Sequence, residues 1–234
     1  MLDRRRLPRR PSPRLPFDAP LSEARASTLV AELAVAPGGH VVDLGCGWAE
    51  LLLRVVEAHP GTTGTGIDID QDALNRGVRE ASFRGLHERV ELIAGDATQF
   101  EDRADVVICV GAAEQLGRAS RALHLVAEIL EPGGVALYGD RTWNAPAGAA
   151  ARAGLGELPV LDGMLALARA AGFRVTSYDV STPAEWTAYA DAWRAALAEA
   201  SVRDRELEAD IEAHVSSHGG AVGYVWLVLS KHLA

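Results

Sequence analysis

The stretch VVDLGCGWAELLLRVVEAH, from Val41 to His59, constrains this chain more than any other. Apolar residues lead to an aspartate, two glycines follow one residue apart, and the spacing then becomes helical. A strand that turns through glycines straight into a helix makes a β-turn-α unit, and the first N–H groups of that helix have no partner inside it. Glycine allows the tight turn and brings no Cβ to block a ligand. Nucleotide-type ligands are held in this way, and several cofactors use the geometry.

The remaining pattern repeats such units. Strand-like runs lie at His40–Leu44, Thr63–Ile69, Val90–Ala94, Asp105–Val110, Val135–Tyr138, Phe173–Val180 and Gly223–Lys231. Helical spacing occurs at Leu21–Val35, where Pro37-Gly38-Gly39 stops it, and at Ala49–Ala58, Asp70–Arg84, Arg118–Leu130 and Leu161–Ala171. Strand and helix in alternation predict an α/β fold: a doubly wound, mainly parallel sheet with helices on both faces. The gap from Pro183 to His218 is too long for a simple crossover, so a helical cap or lid is expected over residues 183–218, before the last strand.

Composition limits what the unit belongs to. At 234 residues and 48% hydrophobic, the chain suits one large domain with an insertion. The first sixteen residues, dense in Arg and Pro without a period, read as a mobile tail ahead of a domain spanning 17–234. A net charge of -9 disfavours nucleic acid as a general partner. No stretch approaches a membrane span and no signal peptide is visible, so the expectation is a cytoplasmic protein, monomeric or homodimeric. Cys46 and Cys109 lie in or beside apolar runs and read as small core residues, not a disulfide. Lys231 is the only lysine, and this arginine bias suggests a GC-rich bacterial genome.

The ligand class follows from the acids. A dinucleotide fingerprint places a third glycine where Glu50 stands, and Glu50 with Asp43 would repel a pyrophosphate. Acids around the turn suit a ligand bearing positive charge, such as an amine or a sulfonium. Asp68 ends the second strand, twenty-one residues beyond Gly47, where a carboxylate accepts ribose hydroxyls. Asp96 ends the third, followed by the small Ala97, a carboxylate suited to an adenine amine. Strand-end aspartates also cap helices, so each alone leaves both roles open; Asp70, just before a helical pattern, reads as a cap.

With VVDLGCGWAE, GTGIDID, AGDA, ADVVICVGAAEQLG and LEPGGVALYGD in this order, the chain resembles the class I S-adenosylmethionine-dependent methyltransferases from Leu21 to Gly139. The resemblance implies a seven-stranded sheet with its last strand antiparallel, and S-adenosylmethionine as donor, leaving as S-adenosylhomocysteine. It places Asp43 and the Gly45, Cys46, Gly47 turn beside the methionine portion, Asp68 at the ribose, Ile69 and Ala97 at the adenine faces, Asp96 at its amine, and Val110 and Gly111 near the methyl group. Ala49 departs from the family, which often has glycine there. VGAAEQLG replaces the Asn/Asp-Pro-Pro-aromatic signature of base and amide N-methylation, and the paired-glutamate hairpin of arginine methylation is lacking. A small-molecule acceptor, methylated on oxygen or nitrogen, is therefore expected. A non-catalytic cofactor binder and an enzyme acting on RNA or protein are the alternatives.

No base stands out. The candidates are Glu114, Asp140 and His218, with Glu185 and His214 behind them. Trp143, in a Gly/Ala/Pro-rich loop, is a candidate for lining the acceptor pocket. Trp186, Tyr189 and Trp193 fall on one helix face that either packs on the sheet or walls the acceptor. No Cys/His spacing indicates a metal site.

Overall fold

The computed structural model describes residues 15–146, 157–199 and 221–232. Seven strands, β1 (His40–Leu44), β2 (Thr63–Asp68), β3 (Val90–Ala94), β4 (Ala104–Val110), β5 (Leu130–Trp143), β6 (Phe173–Val180) and β7 (Val222–Lys231), form one sheet in the order β3-β2-β1-β4-β5-β7-β6. The first five run parallel, and β7 inserts antiparallel between β5 and β6. The doubly wound sheet with an antiparallel final strand matches the expectation. The strand order reverses between β1 and β4, which leaves a crevice beyond their carboxyl ends.

Among the described residues, six α-helices cover the sheet: α1 (Glu23–Glu32), α2 (Glu50–Ala58), α3 (Gln71–Phe83), α4 (Arg118–Ile129), α5 (Leu161–Ala170) and α6 (Pro183–Glu199). Their limits have local causes. The Ser22 hydroxyl accepts the Arg25 N–H and starts α1, and Asp70 accepts the Asp72 and Ala73 N–H groups at the start of α3, the cap that its position predicts. Strand residues alternate between two apolar layers. Val41, Ile108, Leu137 and Trp226 pack with α1, α2 and α6, while Val42, Val107, Tyr138 and Leu227 pack with α4 and α5. Lys231 donates to the Ala127 and Leu130 carbonyls at 2.7 and 2.5 Å, fastening β7 to the end of α4.

Three placements differ in detail from the sequence reading. The fifth strand continues to Trp143, because β7 pairs with it from Val135 to Trp143 and supplies hydrogen bonds beyond Tyr138. Asp140 is therefore inside a ladder, opposite Val225, and Trp143 is the last residue of a strand, not part of a loop. Of the expected cap, the helix Pro183–Glu199 lies within the described residues. Near the N-terminus, the Leu15 carbonyl accepts from Arg76 at 3.0 Å and the Pro16 carbonyl from the Trp48 indole at 2.6 Å. No described helix is long and apolar enough to cross a membrane.

Candidate functional site

The turn after β1 hangs from one carbonyl. Ile67 accepts the N–H groups of both Gly45 and Cys46, at 2.8 and 3.0 Å, so the turn is anchored to β2. The two glycines serve different purposes. Gly45 has φ +74°, and a Cβ there would lie 2.5 Å from that of Ala112, so the position needs glycine for close approach to the segment after β4. Gly47 has φ +56° and nothing within 4 Å of its Cβ position, so open space lies above it. Ala49, where the family often has glycine, keeps a left-handed backbone at φ 60° and is buried. The change preserves the turn at a cost of about 1–2 kcal/mol.

The acids gather at the ends of three neighbouring strands. Asp43 is buried at the end of β1; burial and the nearby Asp68 charge push its carboxyl well above the usual range. The Asp68 Oδ2 accepts the Gly47 N–H at 2.7 Å and its Oδ1 accepts the Asp70 N–H at 2.8 Å. Burial raises its carboxyl too, partly offset by these amide bonds. Asp96 follows β3 and starts a turn of 3-10 helix (Ala97–Gln99), accepting from the Thr98 N–H and hydroxyl at 2.9 and 2.8 Å. Ile69 is 57% exposed beside Asp68, while Ala97 is buried. A large apolar side chain held open next to a carboxylate suits the face of a base above a ribose.

Two residues of the turn act otherwise than their position suggests. Glu50 turns away and is taken by Arg54 at 2.7 Å and Arg84 at 2.6 Å, so it does not supply charge to the site. The Cys46 thiol fills the space over Gly66, whose Cβ position is 2.8 Å from its sulfur. Burial and the charges of Asp43 and Asp68 raise its pKa, so Cys46 holds a thiol and not a thiolate.

On the far side of the crevice, Val110 ends β4 and Gly111 follows with φ +70°, its N–H donating to the Gly139 carbonyl at 2.8 Å. Glu114 is half exposed and pairs with Arg141 at 3.0 Å, which bridges the loop after β4 to β5. Asp140 is buried, accepts the Arg141 N–H at 2.7 Å and the Tyr138 hydroxyl at 3.2 Å, and is pushed up to about 6 by burial. Trp186 packs edge-on against Tyr189 and Tyr224 at 6.1 and 6.3 Å, so the aromatic face of α6 rests on the sheet. Trp143 is buried at the end of β5. Glu185 is engaged by Arg25, Ser22 and Thr182 and ties α6 to α1. His214 and His218 lie outside the described residues.

Tyr224 and Arg141 carry no signal in the sequence. Both belong to the long β5–β7 ladder, which sets them opposite each other, and a pairing register between distant segments leaves no local signal. No group of three His, Cys, Asp or Glu able to hold a metal occurs among the described residues.

The same fold recurs in known proteins. A model of the methyltransferase domain matches residues 42–136. The crystal structure of an S-adenosylmethionine-dependent methyltransferase from Geobacter sulfurreducens, in complex with S-adenosyl-L-homocysteine, superposes with a TM-score of 0.80 at 27% identity, covering 92% of this chain and 94% of that one. Over this domain and across its fold the chain is similar to S-adenosylmethionine-dependent methyltransferases. A second such structure with S-adenosyl-L-homocysteine, from Thiobacillus denitrificans, gives a TM-score of 0.80 at 27% identity over 94% and 95% of the two chains. In sequence, the uncharacterized protein YjhP of Escherichia coli is 37% identical over 127 residues, 53% of this chain and 51% of YjhP. The matched region spans about half of that curated relative's length.

Proposed function

We propose that the protein transfers a methyl group from S-adenosylmethionine to an oxygen or nitrogen of a small-molecule acceptor and releases S-adenosylhomocysteine. The observation that carries this reading is the open space over Gly47, bordered by Asp68, with Asp43 and Asp96 at the adjoining strand ends. Those residues fit the donor. Asp43 and Asp68 suit its positive charge and ribose hydroxyls, Ile69 and Ala97 the adenine faces, and Asp96 the adenine amine. Val110 and Gly111 border the methyl end.

When bound, the donor supplies an electrophilic methyl: the acceptor's lone pair forms the new bond to carbon while the sulfur keeps the electrons of the broken S–C bond. The protein's share is to orient the partners and keep water away, and orientation alone supplies up to roughly 7–11 kcal/mol in favourable cases. A protonated acceptor needs a base. Asp140, pushed up to about 6, has the near-neutral pKa that proton transfer at pH 7 favours, and Glu114 is held by Arg141 beside the end of β4. The small-molecule assignment is supported by the acidic net charge of -9.

The test is incubation of the protein with methyl-labelled S-adenosylmethionine and bacterial extract, followed by separation by size. Label in the small-molecule fraction is expected. Label in RNA or protein overturns the acceptor class, and cofactor binding without label in any fraction overturns the transferase reading.

A further inference from the structure

Tyr224 enters the site from β7, and its ring is held on two sides. Trp226 lies 4.7 Å away between ring centroids, and Trp186 meets the ring edge-on at 6.3 Å. At the tip, the hydroxyl donates to the Gly139 carbonyl at 3.1 Å, the same carbonyl that accepts the Gly111 N–H. This fixes the phenol beside the carboxyl end of β4. A Cβ built on Gly111 would have the Tyr224 hydroxyl at 3.5 Å and, its chain neighbours aside, no other atom within 4 Å. The space next to Gly111 is thus open apart from one oxygen.

That oxygen is neutral. Burial pushes the phenol well above its usual range, and the Asp140 charge adds to the effect, so Tyr224 keeps its proton and does not act as a base. With the proton committed to Gly139, its remaining lone-pair capacity faces other contacts. A methyl on a sulfonium is polarised positive, and its C–H groups are drawn to such an oxygen in weak hydrogen bonds.

We propose that Tyr224 is a positioning residue for the donor, its hydroxyl oxygen receiving the C–H groups of the sulfonium methyl beside Gly111. This inference rests on the S-adenosylmethionine reading above and deepens it. It makes a distinction that the acids of the site do not: the contact exists for S-adenosylmethionine and is absent for S-adenosylhomocysteine, which has no such methyl.

Tyr224→Phe retains the ring and removes only the hydroxyl. Calorimetric titration of the wild type and the variant with each ligand separates the possibilities. The expected result is about a 3- to 10-fold rise in Kd for S-adenosylmethionine with less than a twofold change for S-adenosylhomocysteine. Equal changes for both ligands, or no change for either, overturn the role of Tyr224 while leaving the donor assignment in place. A wild type that binds neither ligand overturns the donor assignment and this inference with it. If the variant does not fold, the wild type decides by filtered NMR with 13C-methyl S-adenosylmethionine: an Overhauser contact between the bound methyl and the Tyr224 ring is expected, and its absence overturns the proposal.

Discussion

The Gly47 amide donates to the Asp68 carboxylate at 2.7 Å, linking the turn after β1 to the end of β2 through the group assigned to the ribose. One side chain therefore shapes the turn and, on the function proposed above, meets the ribose. Asp68→Ala is expected to weaken S-adenosylmethionine binding by about 1.5–3 kcal/mol, the usual loss for charge-assisted hydrogen bonds. Calorimetric titration measures it, and unchanged affinity would place the ribose elsewhere.

The two glycines of the turn should fail in different ways. Gly45→Ala sets a methyl 2.5 Å from the Ala112 Cβ at φ +74°, so it is expected to destabilise the fold by several kcal/mol, on the order of an overpacked core. Gly47→Ala meets no atom, so its folding cost is about 1–2 kcal/mol from the left-handed backbone, while the added methyl occupies ligand space. Urea denaturation and cofactor titration of both variants check the contrast. A Gly47→Ala protein with wild-type affinity would contradict the placement of the ligand.

Asp140 should leave a signature in the pH dependence of stability. Burial raises its carboxyl to about 6, above the unfolded value of about 3.9, so the folded state holds this proton more tightly. Its contribution is complete below about pH 4 and is lost as pH rises through the folded value. A shift of about two units corresponds to roughly 3 kcal/mol. Asp140→Asn, a neutral mimic, is expected to flatten the wild-type decline in stability between about pH 4 and 7 by about that amount. Parallel pH profiles in urea denaturation would show that the group is not the source.

Glu185 has the opposite sign. Burial would raise its carboxyl, but the bonds from Arg25, Thr182 and Ser22 outweigh it and bring the pKa down to about 2. Its contribution is present above the unfolded value of about 4.3 and is lost as pH falls toward 2. Glu185→Ala leaves Arg25 with Asp179 as its remaining carboxylate partner and is expected to cost about 3–5 kcal/mol at pH 7, with a smaller difference at pH 3. Thermal denaturation at the two pH values measures both parts. Equal costs at pH 7 and 3 would show that the charge is not what matters.

Much of the candidate site was legible because it is built from contiguous segments. Each strand-turn-helix unit carries its own apolar period, its glycine or its capping aspartate, so β1 to β4 and the positions of Asp43, Gly47, Asp68 and Asp96 follow from local pattern. Glu50 shows the limit of that reasoning. Its place in the sequence put a negative charge at the turn, but Arg54, one helical turn on, and Arg84, at the far end of α3, draw it away. Orientation around a helix start depends on partners that a local window does not contain.

The sequence by itself determined the alternating units, the glycine turn and the acids at successive strand ends, because backbone propensity and side-chain period act over a few residues. Only the tertiary structure decided what lies across the crevice. Antiparallel insertion of β7 between β5 and β6 extends β5 to Trp143, buries Asp140 within a ladder and brings the Tyr224 hydroxyl to Gly139 from eighty-five positions away. That pairing register is fixed by burial on both faces of the completed sheet, a property that no single segment possesses before the others are in place.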